Sequence, residues 1–197
     1  LVGSYPSWQN SMFRQSRFRI ADQGGHVSGQ ALTDVGEEDF QPVLRWIAGT
    51  DADTVLYCVP RSTGPLFIKQ ANEMGLLGRL TFAWIGFNET HNAQLLPEER
   101  VCVTTCSSFV MSDPTPSARE FVERVKKAHG VKFPVTYYAH NHAAAVAALG
   151  EAWSRAGEVS GKAALAVLPG LRFNSPNGPM TIDAESHHST LNLVIAK

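Results

Sequence analysis

The sequence predicts an α/β fold built on a doubly wound parallel sheet, and three observations point to it. Short apolar runs recur at residues 1–4, 54–59, 80–85 and 101–106, with helical periodicity in the segments between them. The run over 54–59 is apolar without alternation, as expected of a strand covered on both faces. The chain has 197 residues of which 44% are hydrophobic, enough for one good core or two small lobes.

The elements follow from local chemistry in order. The run over 1–4 ends in turn residues. From Ser7 a helical stretch carries Trp8, Met12, Phe13, Phe18 and Ile20, and Gly24 and Gly25 suit its C-cap. Residues 26–32 read as a weak strand. Phe40, Val43, Leu44 and Ile47 then fall at i, i+3, i+4 and i+7, the stripe of an amphipathic helix, which Asp51-Ala52-Asp53 breaks. After the strand at 54–59, Ser62 and Thr63 open a helix running to Met74, with Gly75 beyond its end. Residues 80–85 and 101–106 complete five strands with helices between them, which argues for a parallel sheet.

Beyond residue 106 the pattern changes. Thr115-Pro116 is a helix start, with proline at the first helical position, and Phe121, Val122 and Val125 face one way. Residues 136–156 form an alanine-rich helix, with Ala139, Ala143, Val146 and Trp153 available for packing, and 161–168 a third, shorter one. Three successive helices cannot continue the same sheet. Those helices therefore form a cap or belong to another lobe whose sheet lies elsewhere. Strand character returns at 180–182 and 191–196.

Composition narrows the function classes. The formal net charge is -1, and no basic run exceeds Lys126-Lys127, so there is no electrostatic footprint for nucleic acid. No apolar stretch approaches the roughly 20 residues that cross a bilayer. The first residues lack both an initiator methionine and a charged leader, which reads as a mature product or a fragment. Cys58 falls in an apolar run; Cys102 and Cys106, four apart on a strand, would lie about 13 Å apart, beyond disulfide reach. All three are expected to be structural thiols.

Ligands of open parallel sheets bind beyond the carboxyl ends of the strands. Those ends carry Ser4 to Trp8, Pro60 to Thr63, Gly86 to Glu89 and Ser107 to Phe109: hydroxyls, aromatics, one carboxylate and helix N-termini. This chemistry suits a small polar solute with an apolar part; ordinary caps and turns would use the same residues. His140 and His142 are spaced i, i+2 and point to different helix faces, so a metal site is not expected. His187-His188 reads as a polar turn. The segment 157–162 is one residue short of a phosphate loop and follows a helix. No nucleophile elbow, paired-histidine zinc motif or dinucleotide fingerprint occurs. Their absence weakens an enzyme reading without excluding one, and no catalytic residue, metal or cofactor is expected.

Several stretches resemble a known family. LVGSYPSWQNS followed by DQGGHVSGQ is similar to the opening of the second lobe of type I periplasmic binding proteins of the amide, urea and branched-chain amino-acid group. EEDFQPVLRWIAGTDADTVLYCV resembles that group's Asp-Phe helix and the buried strand after it. FIKQANEMGL, MSDPTPSAREFVERVKKAHG and LRFNSPNGPMTIDAESHHSTLNLVIAK continue the likeness in order. The last is the most specific, with its Pro-x-Gly-Pro turn, Ile-Asp pair and paired histidines, as in the urea- and amide-binding branch.

The resemblance implies lobe 2 over 1–107 and 172–197, and lobe 1 helices over 108–171, with the first lobe's own sheet and a signal peptide expected upstream. It implies ligand contacts at Tyr5 and Trp8 in the turn after the first strand, at Ser62 and Thr63, at Glu89 and at Phe109. Ser108 stands where a tyrosine is common. The function implied is capture of urea, a short amide or a small branched-chain amino acid by hinge closure, for an ABC permease in the periplasm. A cytoplasmic amide sensor is the alternative within the fold, and a small α/β enzyme the alternative outside it.

Overall fold

The computed structural model describes residues 1–59 and 63–197, which cluster into two compact units. The first holds residues 1–87, 91–106 and 195–197. Its strands are β1 (Val2–Gly3), β2 (Ala31–Leu32), β3 (Thr54–Cys58), β4 (Thr81–Trp84), β5 (Val103–Ser107) and, from the tail, β9 (Val194–Ala196), in the order β2-β1-β3-β4-β5-β9. Pairing from β2 through β5 is parallel throughout. The strand order reverses at β1, which makes the β1/β3 boundary a topological switch point. The α/β doubly wound sheet expected from the sequence is present.

The helices of this unit are α1 (Pro6–Trp8), a π-helical turn (Gln9–Phe13), α2 (Arg14–Asp22), α3 (Gln41–Ala48), α4 (Thr63–Glu73), α5 (Glu89–Asn92) and α6 (Pro97–Arg100). The helix expected from Ser7 to Gly24 thus begins with a short α turn and passes through a π turn before continuing, and Phe18 on α2 is exposed. Leu44 and Ile47 of α3 are buried as their spacing requires, each stabilising by about 1.5–3 kcal/mol. Arg79 donates to the carbonyls of Ala48 and Ile47 at 2.9 and 3.1 Å, which satisfies the open end of α3. Between the layers runs an aromatic ladder: Phe40 meets Phe67 edge-on, Phe67 stacks on Tyr57 at 4.8 Å, and Tyr57 lies 4.8 Å from Trp84. Gly64 is required where α4 crosses this ladder: a Cβ there would overlap the Trp84 indole and sit 2.8 Å from the Val59 carbonyl oxygen.

The second unit holds residues 88–90 and 107–194. It contains α7 (Pro116–His129), α8 (Tyr137–Ala156) and α9 (Gly161–Val167), then the antiparallel sheet β6 (Arg172–Ser175), β7 (Gly178–Ile182), β8 (Ser189–Thr190). Here the structure departs from the sequence reading. Residues 172–194 do not rejoin the parallel sheet; only residues 194–196 do. The cause is local: Pro176 and Asn177 turn the chain so that Ser175 pairs with Gly178, and the adjacent strands fold onto each other. Phe173 and Ile182 then pack on the Ala148, Ala152, Ala164 and Leu171 cluster.

The packing face of α8 agrees with the sequence reading in part: of the residues read as available for packing, Ala143 and Trp153 pack on the neighbouring clusters while Val146 is exposed, and the most buried positions are His140, Ala144, Ala148 and Ala152, an i, i+4 series. Thr136 caps α8 through its side chain, Ser160 caps α9, and Gly157 closes α8 with φ 69°.

Candidate functional site

At the switch point of the first unit, the carboxyl end of β1 carries Ser4, Tyr5 and, one helical turn on, Trp8. Tyr5 and Trp8 meet edge to face with ring centroids 4.7 Å apart, and both are half-buried. Trp8 is held by its neighbours: Gly3 lacks a Cβ where the rings of Trp8 and Phe13 approach. Ser4 shares a 2.9 Å hydrogen bond with Thr33 beyond β2, so these hydroxyls answer each other. Thr63 is buried at the first position of α4. Ser62, expected beside it, lies outside the described residues. At the end of β4, His91 stacks on Trp84 at 4.7 Å and 26°, and Thr105 donates to the Trp84 carbonyl at 2.9 Å.

In the second unit the expected carboxylate stands in a defined place. Asn88 accepts from the backbone N–H and the hydroxyl of Thr90 at 2.9 and 2.6 Å, a local turn that fixes the start of α5. Glu89 follows. Its Oε1 accepts the Met111 N–H at 2.6 Å, whereas Oε2 is buried and meets no hydrogen-bond partner among the described residues. Burial pushes the Glu89 carboxyl above its ordinary value, and the bond from Met111 pulls it partly back. A carboxylate with one oxygen anchored and the other buried is arranged to accept a donor from a bound group.

Phe109, expected against the ligand, is 1% exposed with its ring inside the core of this unit. It stacks on His140 at 4.9 Å and 3°, and meets Phe121 edge-on at 5.7 Å. Ser108 beside it donates to Asn141 Oδ1 at 2.9 Å, and Asn177 donates to the Ser108 carbonyl. The sequence weighs His140 only as a metal ligand beside His142 and does not join it to Phe109. Of the expected contacts, then, Tyr5 touches Trp8, and Glu89 and Phe109 are tied to one stretch of backbone, residues 109–111.

A cavity of about 400 Å3 opens at the other edge of the first unit, at the amino ends of β1 and β3, among Leu1, Val27, Trp46, Ile47, Asp51 and Val55. Parallel sheets bind ligands at their carboxyl ends, so this cavity does not mark the site. Among the described residues there is no group of three or more His, Cys, Asp or Glu able to hold a metal ion, and no helix long and apolar enough to cross a membrane. Cys58, Cys102 and Cys106 are all free thiols, and burial pushes Cys58 up to about 12.

Comparison with known proteins bears on the fold and the family. The curated relative Leu/Ile/Val-binding protein homolog 6 of Brucella suis biovar 1 is 28% identical over 190 residues, covering 92% of this chain and 48% of that protein. Among solved structures, a solute binding protein of an ABC transporter from Rhodopseudomonas palustris BisB5, in complex with 3,4-dihydroxy benzoic acid, is 23% identical with a TM-score of 0.87. It is covered over 100% of this chain and 55% of its own. The leucine-, isoleucine-, valine-, threonine- and alanine-binding protein from Brucella ovis, in closed conformation, is 18% identical with a TM-score of 0.84, over 98% of this chain and 50% of its own. The chain spans about half the length of the curated relatives it matches. The family profile described as periplasmic binding protein matches residues 1–197 throughout, and the chain belongs to that family.

Proposed function

We propose that the full-length protein is the periplasmic solute-binding component of an ABC importer, capturing a small solute with an amino or amide N–H group by hinge closure. The observation that carries this reading is Glu89: one carboxylate oxygen fixed by Met111, the other buried and without a partner among the described residues. An ammonium group would make a charge-assisted hydrogen bond to it, worth about 1.5–3 kcal/mol. Within the first unit, the half-buried Tyr5–Trp8 pair offers an apolar surface of the kind such a solute needs. Phe109 acts by positioning residues 109–111 rather than by contact, since its ring is committed to the core. On this reading residues 1–107 belong to lobe 2 and 108–171 to the helices of lobe 1. The Leu/Ile/Val-binding name of the Brucella relative favours a small amino acid; urea or a short amide is the second reading, which a neutral N–H donor on Glu89 would satisfy.

Calorimetric titration of the full-length protein and its Glu89→Gln variant separates these. An amino acid solute predicts a ten- to hundredfold loss of affinity in the variant, about 1.4 kcal/mol per factor of ten. A neutral amide predicts about tenfold or less. Unchanged affinity removes Glu89 from the site.

A further inference from the structure

We propose that the Phe109–His140 stack and the Ser108–Asn141 hydrogen bond form an acid-released latch on residues 107–109, the segment that follows β5 into the second unit. The latch is built from four parts. The His140 ring is fully buried, lying parallel to Phe109 at 4.9 Å and edge-on to Phe121 at 6.1 Å. Asn141 Oδ1 accepts the Ser108 hydroxyl at 2.9 Å and faces His140 Nδ1 at 2.9 Å. An amide oxygen only accepts, so Nδ1 carries the imidazole proton and donates it to Asn141. That leaves Nε2 as the bare nitrogen, and it is buried with no partner among the described residues.

Neutral imidazole tolerates this arrangement; imidazolium does not. A proton on Nε2 would create a buried charge and a buried donor with no acceptor. His140 also sits in the first turns of α8, where the positive end of the helix opposes a cation. The elements around the ring offer little compensation. Residues 107–109 carry no ionisable side chain. From α7 comes Phe121, over which the Arg124 guanidinium lies 5.8 Å from the ring centre, adding a further positive charge. On α8, His142 is turned to the Tyr138 carbonyl, and Tyr137 is packed on Tyr138. Glu89 is engaged with Met111. Stacking on Phe109 would attract a cation, but that gain is small beside the loss of hydration. Burial accordingly holds the His140 pKa below its ordinary value, with the Asn141 bond opposing. Acid therefore favours a state in which His140 leaves the stack, which frees Phe109 and breaks the Ser108–Asn141 bond.

Amide hydrogen exchange on this chain tests the latch at pH 7.5 and pH 5, spanning the ordinary histidine range. After correction for intrinsic rates, protection of residues 107–111 is expected to fall about tenfold or more at the lower pH, while β4 keeps its protection. In His140→Gln that pH dependence disappears. Asn141→Asp provides a second variant: a carboxylate facing Nδ1–H stabilises the imidazolium, so release moves to lower pH. Unchanged protection in the wild type overturns the proposal. So does a loss spread evenly over the whole chain, the same loss in His140→Gln, or release at an unchanged pH in Asn141→Asp.

Discussion

At the scale of the residue, the binding role proposed for Glu89 sets a charged carboxylate against its burial. Its carboxyl titrates above the ordinary 4.5 because burial disfavours the charge. A raised folded pKa means the protonated form is the one the fold favours. The associated stability is fully present below pH 4.5 and is lost as pH rises through the folded pKa. Glu89→Gln removes that titration and keeps an oxygen for the Met111 N–H. The unliganded wild type should therefore lose stability relative to the variant between about pH 4 and pH 7, measured by urea denaturation at each pH. A difference that shrinks over that range would show that Glu89 is stabilised as an anion in the free protein. The carboxylate was legible in the sequence from its place after a strand end. Its Met111 partner was not, because that contact joins positions 22 apart, across α6 and β5, and no local period reports it. The surroundings of His140 were not legible for a related reason: read with His142 it is an i, i+2 pair, whereas it lies in register with Ala144, Ala148 and Ala152 at successive intervals of four.

Among the elements, the strands were the most legible, because buried parallel strands are written as unbroken apolar runs. Helix faces were less so. On α8 small and apolar residues fall on every face, and His140 is buried against the aromatic pair Phe109 and Phe121, which no periodicity shows. The tail misled because strand character does not state its partner; the Pro-Asn-Gly turn at 176–178 was the signal for local antiparallel pairing. For α4, the glycine at its start decides how closely helix and sheet approach. Gly64→Ala should destabilise the chain by about 1–3 kcal/mol, since the overlap involves the Val59 backbone as well as Trp84 and outweighs alanine's helix preference of about 1 kcal/mol. Denaturant unfolding followed by tryptophan fluorescence checks it; a neutral or stabilising result would mean that Trp84 and Val59 move aside. At the other end of the chain, Thr136→Ala should lower stability by about 0.5–2 kcal/mol through loss of the α8 cap, read in the same experiment.

For the whole molecule, the parallel sheet, its 2-1-3-4-5 order and the match over residues 1–197 place the chain in the periplasmic binding protein family, at about half the length of its curated relatives. Solute capture by the full-length protein is the central proposal. Composition and motif absence pointed the same way but could not name a solute, because specificity rests on a few polar contacts and not on the pattern that builds the sheet. The most direct measurement is isothermal titration of the full-length protein against a panel of small amino acids, short amides and urea, with the solute recovered afterwards and identified. The account predicts saturable one-to-one binding of a solute bearing an N–H group, recovered unchanged. Failure to bind any member of the panel, or recovery of a converted product, would contradict it.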